Sequence, residues 1–186
     1  MTKRFMNKKA AIILVNYKDY ANKYLADCLP SLRKQDYSQE MKIFITDNAS
    51  TKASYDYLRQ AAPEAEIIRN ENNDGFAKGN NDAMKRALAQ GFDYIILFNL
   101  DTVLETDCVR KMVAVAEDNL DSRRSLSSCN GDGNDKKEIG AVQARLMLYD
   151  DMSKIYSLGN VTHFLGFGYT EGYNENFSIL PVHGRT

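Results

Sequence analysis

The chain has 186 residues, 24 Lys or Arg against 25 Asp or Glu, and a formal net charge of −1. That balance excludes a nucleic-acid binder whose whole surface is basic. With 44% hydrophobic and 26% charged residues, and only 11 Gly and 3 Pro, the composition is that of an ordinary soluble globular domain large enough to bury a core.

The first nine residues form a basic tail carrying Lys3, Arg4, Lys8 and Lys9. The apolar run that follows, Ala10 to Val15, is too short for a signal-peptide core or a membrane span. It reads instead as a buried strand over 10–16 (AAIILVN). Next, Leu25, Cys28, Leu29 and Leu32 recur at helical spacing, with Pro30 as a reason to expect a kink or an early end. A second buried strand over 42–46 closes on Asp47 and Asn48, and Ser50 or Thr51 caps a helix through Gln60. A third strand covers 65–69. Asp74 or Gly75 then opens a helix to about Gln90, with Ala83, Met84, Ala87 and Leu88 on one face and Gly91 after its end. The fourth strand, 93–99 (DYIILFN), is the most apolar run in the chain. Thr106 or Asp107 starts a helix carrying Val109, Met112, Val113 and Ala116.

Alternating strands and helices predict an α/β fold with a mostly parallel central sheet. Continuous rather than alternating apolar strands predict helices on both faces. Residues 121–138 are almost devoid of apolar side chains and are expected to form a mobile surface insertion. A strand-like stretch follows at 140–148. The Gly- and aromatic-rich segment 163–186 shows no clear period.

Cys28, Cys108 and Cys129 are widely separated, with no CxxC pair, and His163 and His183 are the only histidines. Reduced thiols and no His- or Cys-based metal site are expected.

In an open parallel sheet, ligands bind beyond the carboxyl ends of the strands. Each predicted strand here ends in polar residues: Asn16 and Tyr17, Asp47 and Asn48, Asn70 to Asp74, and Asn99, Leu100 and Asp101. Any one could be a turn former; four together predict a shared crevice. Neither GxGxxG nor GxxxxGK[ST] follows the first strand, so a dinucleotide fingerprint and a P-loop are both absent. Acidic strand ends suit ribose hydroxyls, a pyrimidine N–H and a hard divalent cation, which takes one or two carboxylates plus substrate phosphates. Asp101 meets that need. The run 130–138 is not an EF-hand, because its sixth position is not Gly and its twelfth is Ala141.

The segments AIILVNYKDYANKYLADCLPSL, ITDNAST, NENNDGFAKGNNDAMKRAL and YIILFNLDTVLE, in that order over 10–118, resemble the family-2 glycosyltransferases of GT-A fold, most closely a bacterial rhamnosyltransferase-like branch. The resemblance continues weakly through 139–161. It implies a three-layer α/β/α nucleotide-diphospho-sugar transferase fold, and inverting transfer of a sugar from a dTDP- or UDP-sugar, such as dTDP-rhamnose, to a hydroxyl acceptor in surface polysaccharide synthesis. It implies that Val15, Asn16 and Tyr17 lie at the nucleotide edge and that Asp47 hydrogen-bonds the base, with Asn48 and Ser50 shaping the loop. Asn73, Gly75, Phe76, Gly79 and Asn80 would lie beside nucleotide and sugar. Asn99, Leu100 and Asp101 occupy the place of the DxD motif, with Asn in its first position, so Asp101 would be the main protein ligand of Mg²⁺ or Mn²⁺.

The family's downstream Gly-Gly-Phe-Asp-Glu stretch, where the catalytic base is expected, is not found; Glu171 and Glu175 are the nominees within the chain. The expected organisation is therefore a single donor-binding domain over 1–186, truncated, with 163–186 as the start of an incomplete acceptor region. The competing reading is a non-catalytic nucleotide-sugar-binding or assembly module of the same fold. The resemblance further implies a saccharide or lipid-linked acceptor and a cytoplasmic site of action, with the basic tail in weak contact with the inner membrane face.

Overall fold

The computed structural model describes residues 8–126, 142–158, 160–162 and 168–177. The chain divides into two compact units, Met1–Val113 and Ala114–Thr186.

The first unit is built on four strands: β1 (Ala10–Tyr17), β2 (Met41–Asn48), β3 (Glu66–Asn70) and β4 (Tyr94–Leu97). They alternate with α1 (Tyr20–Arg33), α2 (Lys52–Ala61) and α3 (Gly75–Ala89), and α4 (Cys108–Leu126) follows. All pairings are parallel, in the order β3-β2-β1-β4. Successive side chains of a strand point to opposite faces, and the core divides accordingly. Ala10, Ile12, Leu14, Ile43, Ile45 and Ile96 pack with Leu25, Cys28, Leu32 and Leu58 of α1 and α2 and with Val109 of α4. Ala11, Ile13 and Phe44 pack with Ala83 and Ala87 of α3 and with Phe92 on the other face. The result is the three-layer α/β/α arrangement expected from the unbroken apolar runs. Each fully buried Ile or Leu contributes about 1.5–3 kcal/mol.

Several boundaries differ from expectation for local reasons. α1 runs through Pro30 to Arg33; Pro30 lies on the exposed side, where the apolar stripe of the helix is not interrupted. Thr51 caps α2, its hydroxyl accepting from the Ser54 N–H. Gly91 follows α3 with φ +77, the left-handed geometry glycine tolerates. On α3, Ala83 and Ala87 are buried, but Leu88 is 56% exposed, because it lies outside the stripe that meets β1 and β2. α4 begins at Cys108, and its Val109 N–H is capped by Gln35 Oε1 at 3.0 Å, a partner 74 residues away. α4 also continues to Leu126, so residues 121–126, expected as the start of an insertion, are helical. The remaining 127–138 lie outside the described residues.

In the second unit, the expected strand over 140–148 reduces to β5 (Leu146–Met147), paired antiparallel and with a shifted register to β6 (Ile155–Ser157). A second pair joins β7 (Asn160–Thr162) to β8 (Gly168–Thr170). Gly172 has φ +75, and a Cβ there would stand 2.8 Å from Leu158 Cδ1, so this turn requires glycine. No helix among the described residues is long and apolar enough to cross a membrane.

At the amino ends of the strands Glu66 ties β3 to β2 and α3. Its carboxylate accepts from Lys42 Nζ at 2.7 Å, Arg86 Nε at 2.6 Å and Gln90 Nε2 at 2.9 Å. Partial burial on its own would raise the carboxyl, but these three donors outweigh it and hold it at about 2, against an ordinary 4.5. A depressed folded-state value stabilises above the unfolded value and is lost as pH falls through the folded one. Glu66→Gln is therefore expected to cost about 1–2 kcal/mol at neutral pH, after allowance for solvent screening. In urea titrations the difference from the unsubstituted chain should close as pH falls from 4.5 towards 2; a difference constant with pH would contradict the ion-pair account.

Candidate functional site

The strand order places β1 between β2 and β4, so the chain winds away from β1 in both directions. This is the switch point at which open parallel sheets hold ligands. β4 pairs with β1 only as far as Ile13 opposite Leu97, with one further bond from Phe98 N–H to Ile13 O at 3.0 Å. Beyond that the chain turns outward, Thr102 N–H bonding Asn99 O at 3.2 Å. The two strand ends separate, and a cleft of about 450 Å³ opens between them. That volume lies within the roughly 300–1,000 Å³ of small-molecule sites.

Of the residues expected at a site, Val15, Tyr17, Asn48, Asn73, Gly75, Phe76, Asn99, Leu100 and Asp101 line this one cleft. Leu100 is buried and anchors its turn, while Asn99 and Asp101 on either side of it are exposed. Among the described residues no hydrogen bond or ion pair holds the Asp101 carboxylate. It is close enough to Cys28 beneath it to be felt: burial first, and then the Asp101 charge, push the thiol up to about 12. Cys28 is therefore an inert core residue.

The other expected residues stand behind the walls. Asn16 and Asp47 are fully buried. Asn16 Nδ2 donates to Asp47 Oδ1 at 2.6 Å, and Ser50 Oγ donates to Asp47 Oδ2 at 2.7 Å. Asn16 Oδ1 accepts from the Ala21 N–H at 2.8 Å, satisfying an otherwise unpaired donor in the first turn of α1. One buried network thus holds the β1–α1 and β2–α2 loops together. A second chain of amides runs from Asn70 Nδ2 to Asn48 Oδ1 at 2.9 Å and from Asn48 Nδ2 to Gly75 O at 3.2 Å. Gly75 itself has φ +85, as the tight entry to α3 requires.

Gly79 and Asn80 are buried in α3. A Cβ on Gly79 would lie 3.1 Å from Asn48 Nδ2 and 3.3 Å from both Thr46 Cγ2 and Val15 Cγ1. The missing side chain lets Thr46 Oγ1 reach Gly79 O at 2.7 Å, so α3 sits directly on the ends of β1 and β2. Asn80 Nδ2 turns back to Phe76 O at 2.9 Å. These residues shape the cleft from below.

Tyr20 and Tyr24 of α1 also line the cleft and were not anticipated. Tyr17 meets Tyr20 edge to face with ring centroids 6.1 Å apart, and Tyr20 meets Tyr24 likewise at 5.9 Å. Tyr20 and Tyr24, four residues apart, share one face of α1, and Tyr17 at the end of β1 meets them there, a signal overshadowed in the sequence by the stronger Leu25–Leu32 stripe. Among the described residues, Asp101 is the one carboxylate that lines the cleft. Among the described residues no group of three or more His, Cys, Asp or Glu side chains is arranged to hold a metal ion.

The profile described as glycosyl transferase family 2 matches residues 11–167. No curated protein sequence matches the chain. Among solved structures, S. aureus TarS superposes with a TM-score of 0.51 at 22% identity, over 60% of this chain and 20% of its own. TarS 1–349 in complex with UDP gives 0.52 at 22% identity over 60% of this chain and 33% of its own. TarS 1–349 in complex with UDP-GlcNAc gives 0.52 at 22% identity, with 60% and 32% covered. These likenesses concern the fold, and the chain spans at most about a third of the structures it matches.

Proposed function

The chain belongs to glycosyl transferase family 2, and on that premise we propose that its cleft binds the nucleoside diphosphate of a sugar donor. The carrying observation is the convergence of Val15, Tyr17, Asn48, Asn73, Phe76 and Asp101 on one cleft at the switch point of the sheet. Asn73 offers its exposed amide to a base edge or ribose, and the aromatic rings offer stacking surface. Asp101 stands at the end of the cleft marked by the β4 turn, where the diphosphate would lie. Asp47 acts from behind the wall: its hydrogen bonds to Asn16 and Ser50 position the loops that carry Tyr17 and Asn48.

The donor set suits a divalent cation shared with a ligand. One exposed carboxylate cannot hold Mg²⁺ or Mn²⁺ by itself, but one carboxylate plus diphosphate oxygens meets the usual requirement. Bound there, the cation would offset negative charge on the departing diphosphate. Asp101 would hold it, and the exposed Asn99 amide beside it can donate to a phosphate oxygen. The reaction we propose is a single displacement: an acceptor hydroxyl oxygen bonds to the anomeric carbon, the bond to the diphosphate breaks, and a base takes the hydroxyl proton. A dTDP- or UDP-sugar such as dTDP-rhamnose is the proposed donor, and a saccharide or lipid-linked hydroxyl in cytoplasmic polysaccharide assembly is the proposed acceptor.

A specific observation keeps a second reading alongside. The one carboxylate that lines the cleft among the described residues cannot both hold the cation and take a proton on the opposite face of the sugar. Glu171 and Glu175 belong to the other unit, and nothing assigns either as the base. Without a base supplied from elsewhere, the chain is a nucleotide-sugar-binding module. The test is a melting-temperature panel of UDP, dTDP and GDP, each with and without Mn²⁺, followed by a transfer assay on the nucleotide sugar that binds. Cation-dependent stabilisation supports the binding site, and sugar transfer by this chain alone removes the non-catalytic alternative. No shift with any of the three overturns the proposed function.

A further inference from the structure

We infer that Asn70 is a positioning residue for the nucleotide: it sets the direction of an amide relay that holds the cleft wall at the start of α3. Asn70 does not itself line the cleft. The inference rests on the nucleotide-binding reading and adds a residue that acts on that site without touching the ligand.

Asn70 ends β3 and is the register partner of Asn48 at the end of β2. It grips that segment twice. Its carbonyl accepts from the Ala49 N–H at 3.0 Å. Ala49 is left-handed, with φ +50, a conformation that a non-glycine residue keeps only where its surroundings hold it. The Asn70 side-chain amide donates to Asn48 Oδ1 at 2.9 Å, and Asn48 Nδ2 donates in turn to Gly75 O at 3.2 Å.

This relay has one direction. Gly75 O can only accept, so Asn48 must present its NH₂ group there and its oxygen to Asn70. Position 70 therefore needs a donor. Asn48 is 1% exposed, so water is a poor substitute for a lost partner. α3 also presses close to this amide: a Cβ on Gly79 would stand 3.1 Å from Asn48 Nδ2.

Gly75 is where the relay meets the site. Asn73, Gly75 and Phe76 line the cleft. Two bonds of their turn, Asp74 N–H to Asn72 O and Gly75 N–H to Asn73 Oδ1, both at 3.1 Å, are internal to it. The bond from Asn48 ties the turn to the sheet. With that tie loosened, the wall is in its ligand-ready position for only a fraction of the time, and apparent affinity falls by that fraction.

Calorimetry with UDP and Mn²⁺ on two variants is the test. Asn70→Asp keeps the shape but replaces the donor by a carboxylate, which draws the Asn48 NH₂ group away from Gly75. Asn70→Ala removes the donor without adding charge. Both leave the backbone bond to Ala49 in place. UDP binding should weaken about ten-fold in each. Glu66→Gln is the control, because Glu66 lies at the other end of the same strand and away from the cleft. It should lower Tm yet leave UDP affinity within about two-fold. All titrations are run well below the Tm of every variant, so that a loss of stability alone does not move the affinity. Affinity within about two-fold of the unsubstituted chain in both Asn70 variants overturns the positioning role. An equal loss in Glu66→Gln overturns it too, by showing a general loosening of β3. Should Asn70→Asp fail to fold, Asn70→Ala decides alone. An unsubstituted chain that binds no nucleoside diphosphate removes the underlying reading, and the positioning role with it.

Discussion

Asp101→Ala is expected to abolish the Mn²⁺-dependent part of nucleotide stabilisation while leaving the unliganded fold intact. At a free nucleotide concentration about 100 times Kd, binding adds about 2.7 kcal/mol to stability. For a chain of this length that raises Tm by roughly 5–10 °C. A carboxylate that bridges protein and cation carries most of the cation's share, because no other acid among the described residues lines the cleft. The unliganded protein should melt within about 2 °C of the original, since Asp101 is exposed and surface substitutions rarely exceed 0.5 kcal/mol. Thermal-shift curves for UDP with and without Mn²⁺, on both proteins, make the comparison. An undiminished cation effect in Asp101→Ala would remove Asp101 as a ligand. Asp101→Asn keeps the size of the side chain and should lose the effect too, which separates charge from shape.

Asp47→Ala is expected to damage the fold and the site together. The substitution removes the acceptor of Asn16 Nδ2 at 2.6 Å and of Ser50 Oγ at 2.7 Å, in a place from which water is excluded. Hydrogen bonds to a carboxylate contribute about 1.5–3 kcal/mol each, and a buried donor left without a partner adds its own desolvation penalty. A loss of about 3 kcal/mol follows, or roughly 6–12 °C in Tm. Asn16 also caps the first turn of α1 through Ala21, so loosening it frees the segment bearing Tyr17 and Tyr20. Nucleotide affinity should fall even below the new melting point. Asn16→Ala combined with Asp47→Ala should cost less than the two single losses added, because both cut the same network. Additive losses, or a Tm within about 1 °C of the original in Asp47→Ala, would contradict the network's role.

The two substitutions act on residues that look alike in sequence. Asp47 and Asp101 each follow an apolar run and precede a helix. One is buried and hydrogen-bonded to Asn16 and Ser50, and the other is an exposed group on the cleft wall. The difference lies in the neighbours. β2 is a central strand flanked by β1 and β3, so the residue at its end is surrounded. β4 is an edge strand of this sheet that leaves β1 after Leu97, so the residues after it face open space.

Much was nonetheless legible in the sequence. Unbroken apolar runs at 10–16 and 42–46 identify buried parallel strands, because both faces of such a strand must be covered; the run at 93–99 gives the shorter β4, in which only Ile96 is buried. Helical spacing of Leu25, Cys28, Leu29 and Leu32 identifies the α1 stripe, and all four are buried. The alternation of the elements then requires the strand ends to share one side of the sheet, so a common crevice follows from connectivity alone. These are local periodicities and chain topology, properties carried by short stretches of sequence.

Tertiary structure alone decided which side chains reach the crevice. Asn16 and Asp47 are 31 residues apart and Asn48 and Gly75 are 27 apart, and their pairing withdraws some polar residues from the surface while leaving others open. The helix cap that Gln35 supplies to α4 from 74 residues away has no local signal either. Periodicity determines which face of an element is apolar; the partner of a polar or aromatic group depends on what the folded chain brings against it.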